Sequence, residues 1–408
     1  MSSGARSAGH AGSGLGRRRF IGALAAVAAG ATTTSAAART TAAAPDVAPA
    51  GRTAAPPHRP RRARQLFLGT YTSQAGGGKG IGLATYDDVT GRITGTGTLT
   101  GVPDPSYLAL HPSGRTLYAV DERAEGAVTA VALAADGGRP PKVLNTRATG
   151  GGGPCHLSVH PGGRWLLSAN YGSGSVSVHP VEPSGALGER TDLVTHSTPA
   201  PGPGQDGPHA HQISTAPDGR HVLAVDLGTD TVYTYRLDLD AGRLSEVSQA
   251  RLRPGAGPRH LTFHPEGRFA YLADELDKTV VVCAYDPATG RLTPGEPQST
   301  GTGEGTSYPA QILVTPEGRF AFLANRGHNS ITRYAIEGGG ARLRLLDTVD
   351  VGGDFPRQLA FSPSGRLLFA ANQKSSSVTV FQVDGTTGEL RRAGDPFPAP
   401  IAVCVLPL

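Results

Sequence analysis

Short runs in which apolar residues alternate with polar or small ones recur along this chain, each cut off by a Pro/Gly turn. His260-Leu-Thr-Phe-His264 alternates, Pro265–Arg268 turns, and Phe269-Ala-Tyr-Leu-Ala273 forms a second run. Thr279–Tyr285 is a Val-rich third run, Pro287-Ala-Thr-Gly290 turns again, and a weaker fourth begins at Arg291. A period of two over such lengths, bounded by turn residues, predicts β-strands joined by hairpins. Gly in each turn supplies the positive φ that a hairpin needs.

The unit repeats. His111-Pro-Ser-Gly-Arg115, His160-Pro-Gly-Gly-Arg164, Ala216-Pro-Asp-Gly-Arg220, His264-Pro-Glu-Gly-Arg268, Thr315-Pro-Glu-Gly-Arg319 and Ser362-Pro-Ser-Gly-Arg366 place turn glycines at steps of 49, 56, 48, 51 and 47 residues. A four-strand repeat of that length predicts an all-β propeller with one antiparallel blade per repeat, strands A to D running from channel to rim. Before the first full repeat, Gln65–Thr72, Gly80–Asp87 and Arg92–Leu99 read as strands B, C and D without an A. After the last repeat, Pro400–Leu406 is a lone strand. Used as the missing A, it completes seven blades and leaves no open edge.

Charge divides the chain. Residues 1–64 carry ten Arg and one Asp, net +9, and the remainder holds 28 basic and 32 acidic residues, net −4. The basic character therefore belongs to the leader, and the folded part has no electrostatic case for nucleic acid. Arg17-Arg18-Arg19-Phe20-Ile21 precedes an apolar stretch to Ala31, with small residues at Ser35–Ala38. That is the form of a twin-arginine export signal, so residues 1–44 are expected to be a signal peptide and 45–64 an unfolded linker. The apolar stretch is too short to remain as a membrane span, and residues 65–408 are expected to form the propeller outside the cytoplasm. Cys155, Cys283 and Cys404 lie too far apart for a disulfide framework or a zinc site and are expected to be buried. No metal or cofactor is expected, and nothing in the sequence calls for more than a monomer. Gly76-Gly-Gly-Lys-Gly80 lacks the phosphate-loop pattern, and no Gly-x-Ser-x-Gly elbow occurs.

Within a blade, the start of strand A and the end of strand B lie on one side. Eight and seven residues before each turn glycine stand Ser106-Tyr107, Cys155-His156, His211-Gln212, Arg259-His260, Ala310-Gln311 and Arg357-Gln358. Seven and eight after it stand Asp121-Glu122, Asn170-Tyr171, Asp226-Leu227, Asp274-Glu275, Asn325-Arg326 and Asn372-Gln373. The uniform Asp/Asn column predicts a shared backbone role at the B–C turn. The other positions vary in charge and hydrogen-bonding type, which fits an asymmetric small-molecule ligand. His111, His160 and His264 fall at the opposite end and are expected to be structural.

At these residues the chain resembles the lactonase family of seven-bladed propellers, of the 6-phosphogluconolactonase and carboxy-cis,cis-muconate cyclase type. The match is carried by Gly257-Pro258-Arg259-His260 running to Glu275-Leu276, with Phe355-Pro356-Arg357, Asn325-Arg326, Asn372-Gln373-Lys374-Ser375 and Pro208-His209-Ala-His211. The resemblance implies hydrolysis of a sugar or related lactone without a metal. It implies catalytic groups among His156, His211, Arg259, His260 and Glu275, with Arg326, Arg357, Gln373, Lys374, Tyr171 and His209 binding substrate. Lactone hydrolysis needs a base and a donor for the developing oxyanion. Glu275 or a histidine can be the base, and the arginines can hold an anion through forked hydrogen bonds. Export would make a non-phosphorylated lactone the natural substrate. A binding module without turnover and a muconate-type cyclase stand as alternatives.

Overall fold

The computed structural model describes residues 63–134, 139–198, 202 and 205–408. The expected signal peptide, and the linker up to residue 62, lie outside them. The described chain forms seven antiparallel sheets, each built from four strands, A to D, side by side. In the last, strand D is broken into Leu390–Arg392 and Phe397–Pro398, both paired with strand C. Numbering blades from the N-terminus, blade 1 is the split one: Ala402–Pro407 pairs antiparallel with Arg64–Thr70, which continues into Gly80–Tyr86 and Ile93–Thr100. Closure therefore works as the alternation pattern predicts. The first strand begins at Arg64, whose Nε donates to the Leu408 carbonyl at 2.6 Å, so this residue belongs to the closed ring rather than to the linker.

The A strands of neighbouring blades touch right round the ring, which makes them the innermost layer. Blade faces pack through seven apolar clusters, one at each junction. Most of their members are alternate residues of strands A to C, because a pleated strand sends every second side chain to the same face, and strand D adds residues such as Ala250, Leu292, Leu343 and Leu390. Each large apolar side chain fully buried there contributes about 1.5–3 kcal/mol.

Polar side chains tie the blades at both ends. On the side of the A–B turns, His111, His160 and His264 donate through Nε2 to the carbonyls of Gly163, Gly219 and Gly318, the turn glycines of the following blades, at 2.9–3.1 Å. These histidines are blade-to-blade latches. Where the repeat has Thr315 or Ser362 instead, the hydroxyl accepts the N–H of Phe320 or Leu367 within its own blade. At the other end, the Asp/Asn column is buried and serves the backbone and strand C. Asp226 Oδ1 accepts from the N–H groups of His209, Gly228 and Thr229, while Asn325 and Asn372 donate to Ser330 and Thr332, and to Ser377 and Thr379. Cys155, Cys283 and Cys404 are buried and free.

Candidate functional site

The side chains at the channel mouth are aimed by one recurring irregularity. In blade 5, Pro258 faces Asp274 but His260 faces Ala273, so Arg259 is an extra residue in strand A. The same slip inserts Cys155 in blade 3, His211 in blade 4 and Arg357 in blade 7. A β-bulge bends the strand and re-aims its side chain. That is why Arg259 and His260, which would point to opposite faces of a regular strand, both find polar partners at the mouth: Glu275 for Arg259, and His156 and His211 for His260.

The charged groups form two sets. In the first, Glu275 Oε2 lies 3.0 Å from Arg259 Nε and in close contact with Arg326 Nη2. In the second, Glu122 receives the Tyr71 hydroxyl at 3.0 Å and faces Arg357 Nη2 at 3.5 Å, while the Arg357 guanidinium lies 5.9 Å from the Tyr71 ring centroid. Burial alone would raise the Glu275 pKa, but attraction from Arg326 and Arg259 outweighs it and holds the carboxylate below its ordinary range. Burial, then repulsion from Arg326 and Arg357, lowers the Arg259 value. A guanidinium starts high enough to stay cationic at neutral pH even so. Burial also opposes the Arg357 charge, but Tyr71 and Glu122 stabilise it and raise its pKa on balance.

Arg259 is only 2% exposed, and neither its Nε, which stands only at ion-pair distance from Glu275, nor its Nη1 has a hydrogen-bond partner. A buried, unsatisfied guanidinium donor is costly unless something else satisfies it. Beside it stand three buried imidazoles. The His260 ring centroid is 5.2 Å from that of His211 and 5.4 Å from that of His156, and Tyr107 stacks at a tilt on His156 at 4.2 Å. Burial first, and then the Arg259 charge, pushes His156 down to about 3 and holds His211 and His260 well below 6.5. All three are therefore neutral at neutral pH. His156 Nδ1 accepts the Ile213 N–H at 3.4 Å, whereas the Nδ1 atoms of His211 and His260 are buried without partners.

The remaining expected residues lie around this centre. Tyr171 stands edge-on to His211 at 5.6 Å and stacks on His209 at 4.5 Å. His209 spends both ring nitrogens on the Tyr171 carbonyl and Asp206. The backbone N–H of Gln373 donates to the Phe355 carbonyl, its Oε1 is buried without a partner, and the exposed Lys374 places Nζ 4.1 Å from the Phe355 ring centroid. Among the described residues, no group of three or more His, Cys, Asp or Glu side chains is arranged to hold a metal ion.

Residues 65–407 match the family model described as lactonase, 7-bladed beta-propeller. The chain belongs to that family. It is 33% identical over 291 residues to a 6-phosphogluconolactonase of Bacillus subtilis, covering 71% of this chain and 82% of that one. Among solved structures it is similar to the periplasmic gluconolactonase of Pseudomonas aeruginosa, with a TM-score of 0.79 and 29% identity over 85% of this chain and 99% of that one. It is also similar to a Lactobacillus plantarum protein, with a TM-score of 0.79 and 34% identity over 85% of this chain and all of the other. Membership, fold and mouth chemistry together support a lactonase-type hydrolase acting on a lactone.

The lactonase mouth differs from the sequence expectation in two respects. The variable column one place after the bulge is partly structural. Gln212, Gln311 and Gln358 accept the backbone N–H of Leu261, Leu359 and Val405 in the next blade, and His156 does the same for Ile213. Variation there reflects which groups can clamp neighbouring A strands as well as what faces a ligand. Conversely, Tyr71 and Glu122 belong to the charged centre but were not among the expected site residues. Glu122 was visible as the partner of Asp121 in the B-strand column. Tyr71 could have been found by aligning the end of blade 1's strand B, Gly69-Thr70-Tyr71, with that column.

Proposed function

We propose that this chain hydrolyses a sugar-type lactone outside the cytoplasm, with the Arg259 guanidinium as oxyanion donor and an imidazole of the His211–His260 pair as base. The observation that carries this reading is the unsatisfied Arg259 Nη1 packed beside neutral imidazoles whose Nδ1 atoms have no partner. Glu275 is a poor base by comparison, because two arginines already stabilise its carboxylate. Its role is to fix both guanidinium groups.

In this scheme a water oxygen attacks the lactone carbonyl carbon while the imidazole takes its proton. The carbonyl π electrons move onto oxygen, where Arg259 stabilises the charge. Collapse breaks the ring C–O bond, and the imidazolium returns the proton to the departing ring oxygen, giving the open hydroxy acid. Arg326 and Arg357, with Tyr171, Gln373 and Lys374, orient the substrate. The leader's arginine run and the periplasmic name of one relative favour export, and export favours a non-phosphorylated substrate.

The test is titration of acid release from a lactone panel, corrected for spontaneous hydrolysis. Wild type is expected to accelerate at least one sugar lactone, and His260→Asn to lower kcat by about 10²–10⁴-fold. No acceleration anywhere on the panel, with ligand-induced stabilisation alone, would identify a binding module instead.

The pH profile supplies a second check. A base must be unprotonated to act, and burial with the Arg259 charge holds both imidazoles below 6.5. kcat/KM is therefore expected to stay level as pH falls from about 8 through 6.5 and to decline only in more acidic solution. An acid limb centred on the ordinary histidine value would contradict the assignment.

A further inference from the structure

The residues one place after the A-strand bulges form a layer just inside the mouth, and most of them share a task. His156, Gln212, Gln311 and Gln358 each accept a backbone N–H from the next A strand, those of Ile213, Leu261, Leu359 and Val405. Two members of the layer are exceptions. One is His260, whose Nδ1 has no partner. The other is Tyr107 of blade 2, held in place by its carbonyl, which accepts the Val120 N–H at 3.1 Å. Its hydroxyl oxygen meets the side-chain amide of Gln311. Gln311 belongs to blade 6, almost opposite blade 2 in a ring of seven, so the phenol crosses the channel to reach it. On the way its ring stacks at a tilt on His156, 4.2 Å between centroids, and passes 6.4 Å from the ring of His260. At its root it packs on the apolar clusters at both junctions of blade 2. Burial raises the phenol pKa far above its ordinary value and keeps the hydroxyl neutral.

We propose that Tyr107 is the plug of the channel, a positioning residue whose ring closes the layer of His156 and His260 and leaves the mouth as the route by which water and substrate reach these imidazoles. The role rests on the lactone reading above and adds one-sided access to it. Only a long side chain can fill the axis from a single blade, and the histidines and glutamines of the layer are occupied at its wall. The charged groups facing the imidazoles are Arg259, Arg326 and Arg357, with Glu275 paired to the first two and Glu122 and Tyr71 to the third. Burial nevertheless outranks every one of these charges in lowering the proton affinity of His156, His211 and His260. Water admitted along the axis would stabilise the imidazolium form, so removing the ring should raise those affinities toward the ordinary histidine value.

Tyr107→Ala opens the axis, Tyr107→Leu fills part of it, and Tyr107→Phe keeps the ring while giving up the contact with Gln311. NMR titration of the imidazole Cε1–H resonances, assigned with His156→Gln and His260→Asn, reads the effect without turnover. In the wild-type protein His156 and His260 are expected to take up protons only well below pH 6.5. In Tyr107→Ala their proton affinity should rise at least about tenfold. The leucine variant should fall between, the phenylalanine variant should titrate as wild type, and the acid limb of kcat/KM should move up in pH with the imidazoles.

Circular dichroism selects the variants that fold, and if alanine is not tolerated the contrast between leucine and phenylalanine decides. Unchanged imidazole titration in a folded variant without the ring would overturn the proposal. An equal rise in the phenylalanine and alanine variants would overturn it too, by assigning the effect to the hydroxyl. Imidazoles that respond to loss of the ring in a protein that hydrolyses no lactone would refute the hydrolase reading and keep the plug. Lactone hydrolysis with imidazoles indifferent to the ring would do the reverse.

Discussion

Arg259→Ala is expected to lower kcat/KM for the best lactone by about 10²–10³-fold, the usual consequence of removing an oxyanion donor. Arg259 is the bulged residue of blade 5, almost fully buried, with Nε 3.0 Å from Glu275 as an ion pair and neither Nε nor Nη1 hydrogen-bonded. Its cost in the resting protein is high, since burial and the Arg326 and Arg357 charges all disfavour it. A substrate oxyanion would offset that cost when the charge develops, which makes the interaction stronger in the transition state than before it. Alanine also removes one of the two cations holding Glu275, so part of the loss comes from a freed carboxylate. Arg259→Lys separates these effects. It keeps the charge but lacks the fork that reaches Glu275 and substrate together, so at least tenfold of the loss should persist. The measurement is initial-rate acid release, with circular dichroism to confirm that each variant folds. Near wild-type kcat/KM in Arg259→Ala would remove the oxyanion role.

How much of this was legible in the sequence depends on what each residue answers to. The blade count follows from spacing, because Gly114, Gly163 and their counterparts mark turns whose positive φ admits little else. Counting outward from them located Arg259, His260, Glu275, Arg326 and Arg357, since the distance from turn to strand end hardly changes between blades. Tyr71 escaped because its strand A is Ala402–Pro407, at the far end of the chain, leaving no A–B turn from which to count. The clamp made by Gln212, Gln311 and Gln358 escaped for another reason. Each side chain answers to the backbone of the neighbouring blade, and that proximity exists only after the ring has closed. The left-handed backbone of Phe355, at φ +66°, is likewise invisible in one dimension. Before a proline the chain is expected to be extended, and only the fold discloses that this residue stands at a site that Gly153 and Gly257 fill elsewhere.

A chain ending at Ala399 is expected to lose its cooperative thermal transition. The segment it lacks supplies strand A of blade 1, and Ala402, Val403, Cys404 and Val405 are all essentially inaccessible. Ala402 and Val405 belong to the cluster shared with blade 7, and Cys404 to the cluster shared with blade 2. Removing them opens two junctions and costs on the order of 5–10 kcal/mol of apolar burial, comparable with the roughly 5–15 kcal/mol net stability of a whole domain. Hydrogen bonds are lost as well: Val405 N–H to Gln358 Oε1 at 2.8 Å, and Arg64 Nε and the Tyr86 hydroxyl to the Leu408 carbonyl at 2.6 and 3.1 Å. The loss leaves Arg64–Thr70 as an uncovered edge, a template for pairing with another chain. Scanning calorimetry and size-exclusion chromatography should therefore show a broad or absent transition together with association. The mouth would suffer too, because Tyr71, which holds Glu122 opposite Arg357, directly follows the strand that loses its partner. A sharp transition near the wild-type Tm in the truncated chain would mean that the ring does not depend on this closure.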